Sequence, residues 1–231
     1  MCKYIVFDFD DTITNNNILD YMSFKITCNK LGILHPSINK IAKLRRRGFL
    51  AKNIIKKICR YQKNEKIIRE FLEYRKKFLL NNSLQYLKLR PNSKAVLSNL
   101  HKSKYNLILC SANINGSMVK TFLKKNDLFK LFAGVFFIKD LGFVLDNSIK
   151  SNRVLIKNSL LHHIIKKFEI PLNEILYIGN SIEDYKSAKI MKVNFIFLKT
   201  SYLPEIKIRN IKSISSLNDL QKILLKMRDL F

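Results

Sequence analysis

Val6–Thr12, V-F-D-F-D-D-T, closes the apolar run that opens the chain. Tyr4–Phe7 has the β-branched and aromatic content of a buried strand, and Asp8 and Asp10 follow at its carboxyl end. Residues two apart on extended backbone point to the same face. Ligands of open α/β sheets bind outside the carboxyl ends of strands, so both acids fall where a site belongs. Two carboxylates that close repel unless a proton or a cation lies between them. A divalent metal on oxygen ligands, Mg²⁺ beside a phosphate above all, answers that need. Taken alone, the segment is also an ordinary cap for whatever follows the strand, since Asp favours such positions.

Three further segments follow in order. Asn106–Ser111, N-L-I-L-C-S, reads as a buried strand that delivers the hydroxyl of Ser111, with Ala112, Asn113 and the turn-prone Asn115-Gly116 behind it. A serine beside backbone N–H groups at a strand-to-helix turn can hold phosphate oxygens, or simply cap the helix. Lys157 is the best-placed lysine ahead of a helix expected over 158–168. Ile175–Asp184, I-L-Y-I-G-N-S-I-E-D, reads as a strand ending in Gly179-Asn180-Ser181, with Glu183 and Asp184 just beyond. Glycine permits the tight turn, and oxygen side chains there can complete a metal site.

The four segments together resemble those of the haloacid dehalogenase superfamily, whose phosphatases carry D-x-D-x-T, a strand ending in Ser or Thr, a lysine, and G-D-x-x-x-D. The resemblance runs from Tyr4 to the C-terminal helix, and the Lys157-to-Asn180 spacing is that of phosphoserine-phosphatase-like members. It implies a doubly wound, mainly parallel α/β core with an inserted helical cap. It also implies a Mg²⁺-dependent phosphatase that hydrolyses a small phosphorylated metabolite through an aspartyl-phosphate. On that resemblance Asp8 is the nucleophile and Asp10 the acid and base, while Ser111 and Lys157 hold the phosphoryl group. Mg²⁺ would lie on Asp8, the backbone carbonyl of Asp10, Asn180 and, in the outer shell, Asp184. Asn180 departs from the pattern: the family usually has Asp there, and an amide offers oxygen without charge. Asp10 argues for phosphoryl chemistry over carbon–halogen cleavage, because a leaving halide needs no proton. A phosphotransferase or sugar-phosphate mutase, a nucleic-acid end-phosphatase, and a catalytically weak phospho-ligand-binding protein would use the same residues.

The segment between the first two motifs is helical in pattern, with Ile54, Ile55, Ile58 and then Ile67, Ile68, Phe71, Leu72 spaced by threes and fours. The expected division is a core of 1–15 and 88–231 with a cap of 16–87, the chain returning through Leu89-Arg90-Pro91 into a helix over 93–100. Within the cap, Arg45, Arg46 and Arg47 are candidate clamps for a substrate carboxylate or second phosphate, and otherwise lie on an exposed loop. Asn113 is a fourth candidate substrate contact. Core strands are expected near 3–8, 106–110, 134–138, 175–178 and 194–198. Phe136–Leu145 reads as a strand and hairpin, and 217–231 as an amphipathic helix with Leu220, Ile223, Leu224 and Met227 as its stripe.

The 231 residues suffice for one good core plus a smaller inserted domain. They carry 43 Lys and Arg against 17 Asp and Glu, a net charge of +26, which raises nucleic acid as a partner. The basic residues are spread along the whole length, however, in a chain visibly rich in Lys, Ile, Asn and Phe and free of Trp. No nucleic-acid module is recognisable, so compositional bias is the preferred account of the charge. Cys2, Cys28, Cys59 and Cys110 lack C-x-x-C spacing and read as thiols of a reducing compartment. No stretch reaches the roughly 18 apolar residues of a membrane span. The chain runs directly into its first strand without a signal-peptide pattern, and the expected location is the cytoplasm. Oligomeric state leaves no mark on the sequence.

Overall fold

β1 (Tyr4–Phe7) pairs on both edges: Tyr4 and Phe7 face Asn106 and Leu109 of β4 (Asn106–Ser111) on one side, and Ile175 and Ile178 of β6 (Ile175–Gly179) on the other. Both pairings are parallel. Beyond them lie β5 (Phe132–Phe137), β7 (Asn194–Leu198) and β8 (Ser213–Ile214), giving the order β5-β4-β1-β6-β7-β8 with every pairing parallel. Strands covered on both faces need continuous apolar runs. That is the character of Ile5-Val6-Phe7, Leu107–Cys110 and Ile175–Ile178, all buried. The chain moves outward from β1 through β4 to β5, then returns to the other side at β6. β1 is therefore the topological switch point, and the crevice beyond its carboxyl end is where such sheets bind ligands.

This computed structural model describes residues 2–58, 64–113, 115–141, 152–200 and 211–228. Among them, those up to Thr14, Leu89–Lys199 and 211–228 form one compact unit, and Asn15–Lys88 with Thr200 form a second. The helices of the first are α5 (Ser93–Lys102), α6 (Gly116–Lys125), α7 (Arg153–Phe168), α8 (Ile182–Ile190) and α9 (Leu217–Arg228). Ile156, Leu160, Leu161 and Ile164 of α7 pack on Val6, Ile108, Cys110 and Tyr177 of the sheet. The second unit holds α1 (Asn17–Lys30), α2 (Ile38–Arg46), α3 (Ala51–Ile58) and α4 (Glu65–Tyr86) around Phe24, Ile41, Ile54, Ile55 and Phe71. The chain passes out along β2 (Thr14–Asn15) and back along β3 (Lys88–Leu89), which pair with each other.

The structure departs from the sequence reading at three places. α7 begins at Arg153, not near residue 158, because the Asn152 side chain accepts the Leu155 amide and caps the helix earlier. Lys157 consequently sits inside the helix and not ahead of it. β5 stops at Phe137 and gives way to a 3₁₀ turn over Ile138–Leu141, where a continuing strand was expected; the rest of the expected hairpin lies outside the described residues. β8 carries only two residues, too short for an alternation to show.

Candidate active site

The register of β1 with its neighbours places Asp8 just past the strand, its amide donating to the Ile178 carbonyl at 2.9 Å. Asp8 is 4% exposed. The chain then turns sharply: the Phe9 carbonyl accepts the amides of Thr12, Ile13 and Thr14, and Asp11 adopts a left-handed φ of 57°. Arg90 pins this turn, donating to the carbonyls of Asp11 at 2.8 Å and Lys199 at 2.6 Å. Asp10 is thereby held on the loop and half-buried, with the Asn113 side-chain amide donating to its carboxylate at 3.2 Å. The Asn113 backbone amide in turn donates to Ser111 Oγ at 3.1 Å. Ser111, fully buried at the end of β4, is thus linked to Asp10 through Asn113. Asn113, expected as a substrate contact, hydrogen-bonds Asp10 in this structure.

Lys157 reaches in from α7. Its ammonium donates to Asp8 Oδ1 at 3.2 Å and, more closely, to Asp184 Oδ1. Asp184 is saturated by the protein's own donors. Tyr177 Oη shares its Oδ1, while the amides of Asn180 and Ser181 and the Ser181 hydroxyl converge on its Oδ2. The Ser181 hydroxyl also accepts the Asp184 amide, so the same contacts form the capping box of α8. Gly179 makes room for this: a Cβ there would stand 2.7 Å from Asp184 Oδ2. Asp184, expected in the outer shell of a metal, meets Lys157 in this structure.

The electrostatics follow from burial. Asp8 is pushed up to about 8, first by desolvation, then by the nearby charges of Asp184 and Asp10, with Lys157 pulling the other way. Burial would raise Asp184 too, but Lys157 and its hydroxyl donors overcome that and hold it low. Burial also opposes the charge of Lys157, yet Asp184 and Asp8 outweigh it and raise the amine further. The two carboxylates differ because Asp184 has the closer ammonium and the larger set of donors. A committed Asp184–Lys157 ion pair thus stands beside an Asp8 whose ionised form is only partly compensated.

That surplus is the chemistry a divalent cation takes. Thr12 Oγ1 lies 3.1 Å from Asn180 Oδ1 and 3.5 Å from Asp8 Oδ2, so a single hydroxyl proton serves two buried oxygens. Hard oxygen acceptors that outnumber their donors, beside excess negative charge, suit Mg²⁺. Among the described residues no three His, Cys, Asp or Glu side chains converge as a metal cage. The fit therefore rests on Asp8, the Asn180 amide oxygen and main-chain oxygen.

Arg45, Arg46 and Arg47 belong to the helical unit. Arg45 donates twice to Asp20, at 2.8 Å from both Nε and Nη2, and Arg75 adds a third bond at 2.6 Å. Both guanidiniums lie over the Phe24 ring. Arg45 is thus engaged inside the helical unit, where removing Asp20 would leave two nearly buried cations facing each other. Arg46 and Arg47 are exposed. Sequence reasoning passed over Tyr177, Ser181 and Thr12. A tyrosine in an otherwise aliphatic buried strand was the one available signal, because a buried hydroxyl must find a partner.

The charge balance has a consequence for pH. Burial raises native Asp8 to about 8, from the ordinary carboxylate value near 3.8. This contribution to stability is complete below the lower value and is lost as pH rises through the upper one. With a chelator present, Asp8→Asn should gain stability relative to wild type as pH rises from about 4 to about 8, read from urea midpoints. A difference that stays constant with pH would contradict this balance.

Comparisons with known proteins bear on the family and the fold. A sequence profile of the haloacid dehalogenase-like hydrolases matches residues 5–198. No curated protein sequence matches significantly. Among solved structures, a candidate phosphatase from Clostridium difficile superposes with a TM-score of 0.77 at 16% identity, covering 96% of this chain and 98% of its own. A HAD-superfamily hydrolase from Geobacter sulfurreducens gives 0.74 at 14%, covering 96% of each chain. A predicted phosphoglycolate phosphatase from Haemophilus somnus gives 0.73 at 19%, covering 96% and 98%. At such identities the structures speak for the fold, and the profile match speaks for the family. With its strand-end aspartates, its buried lysine and its match over residues 5–198, the chain belongs to the haloacid dehalogenase-like hydrolases, a family of enzymes.

Proposed function

We propose that this hydrolase is a Mg²⁺-dependent phosphatase that cleaves a small phosphomonoester through a phosphorylated Asp8. The carrying observation is the pair of aspartates at the end of β1: Asp8 buried against Lys157, and Asp10 half-buried and oriented by Asn113. In this reading an Asp8 oxygen attacks phosphorus and the alkoxide leaves, taking a proton from Asp10. Asp10 then removes a proton from the water that opens the acyl phosphate, returning Asp8 as a carboxylate and releasing inorganic phosphate. Lys157 and Ser111 bind the phosphoryl oxygens and offset the charge they gain in the transition state. Asp184 keeps Lys157 charged and aimed. Asp8, Asn180 and the Asp10 carbonyl would hold Mg²⁺, whose positive charge favours ionised Asp8 and screens its approach to a phosphate dianion. The named neighbours, two of them phosphatases by description, support phosphoryl chemistry. The cytoplasm is the proposed location, supported by the free thiols of Cys2, Cys28 and Cys110. No helix among the described residues is long and apolar enough to cross a membrane.

Hydrolysis of p-nitrophenyl phosphate, with and without Mg²⁺, tests this directly. Asp8→Asn should abolish turnover, and Asp10→Asn should lower it by about 10²- to 10⁴-fold. Normal turnover by Asp8→Asn would refute the mechanism.

Asn180 allows a second test. Asn180→Asp adds a charge to the proposed metal shell and should lower the Mg²⁺ concentration for half-maximal activity by about tenfold. The same charge would face Asp8 without a counterion in chelator, so the metal-free variant should melt below wild type. Equal Mg²⁺ midpoints together with equal metal-free melting temperatures would remove Asn180 from the shell.

A further inference from the structure

No Asp or Glu occurs from Tyr21 to Asn64, a stretch that carries twelve Lys and Arg. Compositional bias enriches lysine along the whole chain and leaves this local absence of acid unexplained. The acids at its two ends are already engaged. Asp20 holds Arg45 and Arg75, and Glu65 lies 2.6 Å from Lys56 with Lys52 and Arg69 close by. Between them, α2 buries Ile41 and Leu44 in the helical core. Lys40, Lys43 and, at the helix end, Arg47 are spaced by three and four and turned outward as one exposed stripe. No ion pair among the described residues includes these three. A leucine stands out beyond each end of the helix. Leu34 is 88% exposed although its neighbour Ile33 is buried in the core, and Leu50 is 69% exposed beside buried Ala51. Folding has packed the flanking residues and left both leucines in water.

We infer that the helical unit docks by α2 on an anionic phospholipid surface, with the basic stripe over the headgroups and Leu34 and Leu50 inserted among them. Basic residues on one face with apolar side chains beside them mark segments that lie on a membrane without crossing it. Near such a surface the negative potential of the leaflet makes each Lys or Arg worth about fivefold in binding. Burial of the leucines adds a contribution that no soluble polyanion supplies. A nucleic acid would draw on the same charge, but its bases call for aromatic stacking or bidentate polar groups, and the exposed apolar residues here are leucines. Every residue involved belongs to the helical unit, so the inference is independent of the phosphatase reading.

Flotation of the full-length protein with vesicles tests this, comparing phosphatidylcholine alone with phosphatidylcholine that includes phosphatidylglycerol. The protein should float with the anionic vesicles only, and less as salt is raised. Lys40→Gln, Lys43→Gln and Arg47→Gln combined should weaken binding about 10²-fold. Lys102→Gln, Lys125→Gln and Lys189→Gln combined remove the same charge from exposed positions of the other unit, and should change it by no more than about twofold. Leu34→Ser with Leu50→Ser should weaken binding about tenfold at unchanged net charge. No flotation with anionic vesicles, equal losses in the two charge variants, or full binding by the leucine variant would each overturn the proposal. An RNA oligonucleotide whose binding needs Lys40, Lys43 and Arg47 while vesicle binding does not would overturn it too, and assign the face to nucleic acid.

Discussion

One buried ammonium organises this molecule's chemistry. Lys157 lies between Asp8, just past β1, and Asp184 on α8, and is supplied by a third element, α7. Charges so deeply buried persist only when paired and hydrogen-bonded. The surroundings meet that condition asymmetrically. Asp184 receives Tyr177, Ser181 and two backbone amides besides Lys157, whereas Asp8 shares the same ammonium and half of the Thr12 hydroxyl. The strong partner fixes the lysine, and the weak partner is left with fewer donors, as the proposed nucleophile would be. Gly179 belongs to the same arrangement, since a side chain there would displace the Asp184 carboxylate.

Such a site is easy to read from sequence in part, for a physical reason. Parallel strands buried on both faces must be apolar throughout, so an oxygen-bearing residue at their carboxyl ends stands out. Asp8, Ser111 and Asn180 each follow or end such a run, and the fold class and main strand positions came from the same runs. Residues on helices gave less. Lys157 is one of 43 basic residues and had no local mark beyond its distance from Asn180. Its helix was expected five residues late because Asn152 is a cap only if the preceding chain is known to be non-helical. Tyr177 and Ser181 act through partners brought close by the fold alone. Arg45 had the right chemistry for a substrate clamp, but nothing local revealed that Asp20, 25 positions earlier, already held it.

Asn180 gives the site its individual character. With Asp at that position a further negative charge would join Asp8, Asp184 and Asp10 around a single ammonium. The amide lowers that repulsion in the metal-free protein and keeps an oxygen directed at the Thr12 hydroxyl. In the proposed metal site the exchange would favour a stable resting site over tight capture of a cation, setting metal demand against stability at one residue.

The central claim is that Asp8 carries the phosphoryl group. Acid-quenching the wild-type protein during turnover of a phosphomonoester, followed by peptide mass spectrometry, tests it most directly. The account predicts one added phosphoryl group on the peptide containing Asp8, labile to hydroxylamine as an acyl phosphate is, and absent from Asp8→Asn. Phosphate release with no such adduct, combined with inversion of configuration at an isotopically chiral phosphorus, would contradict it, because two successive displacements retain configuration.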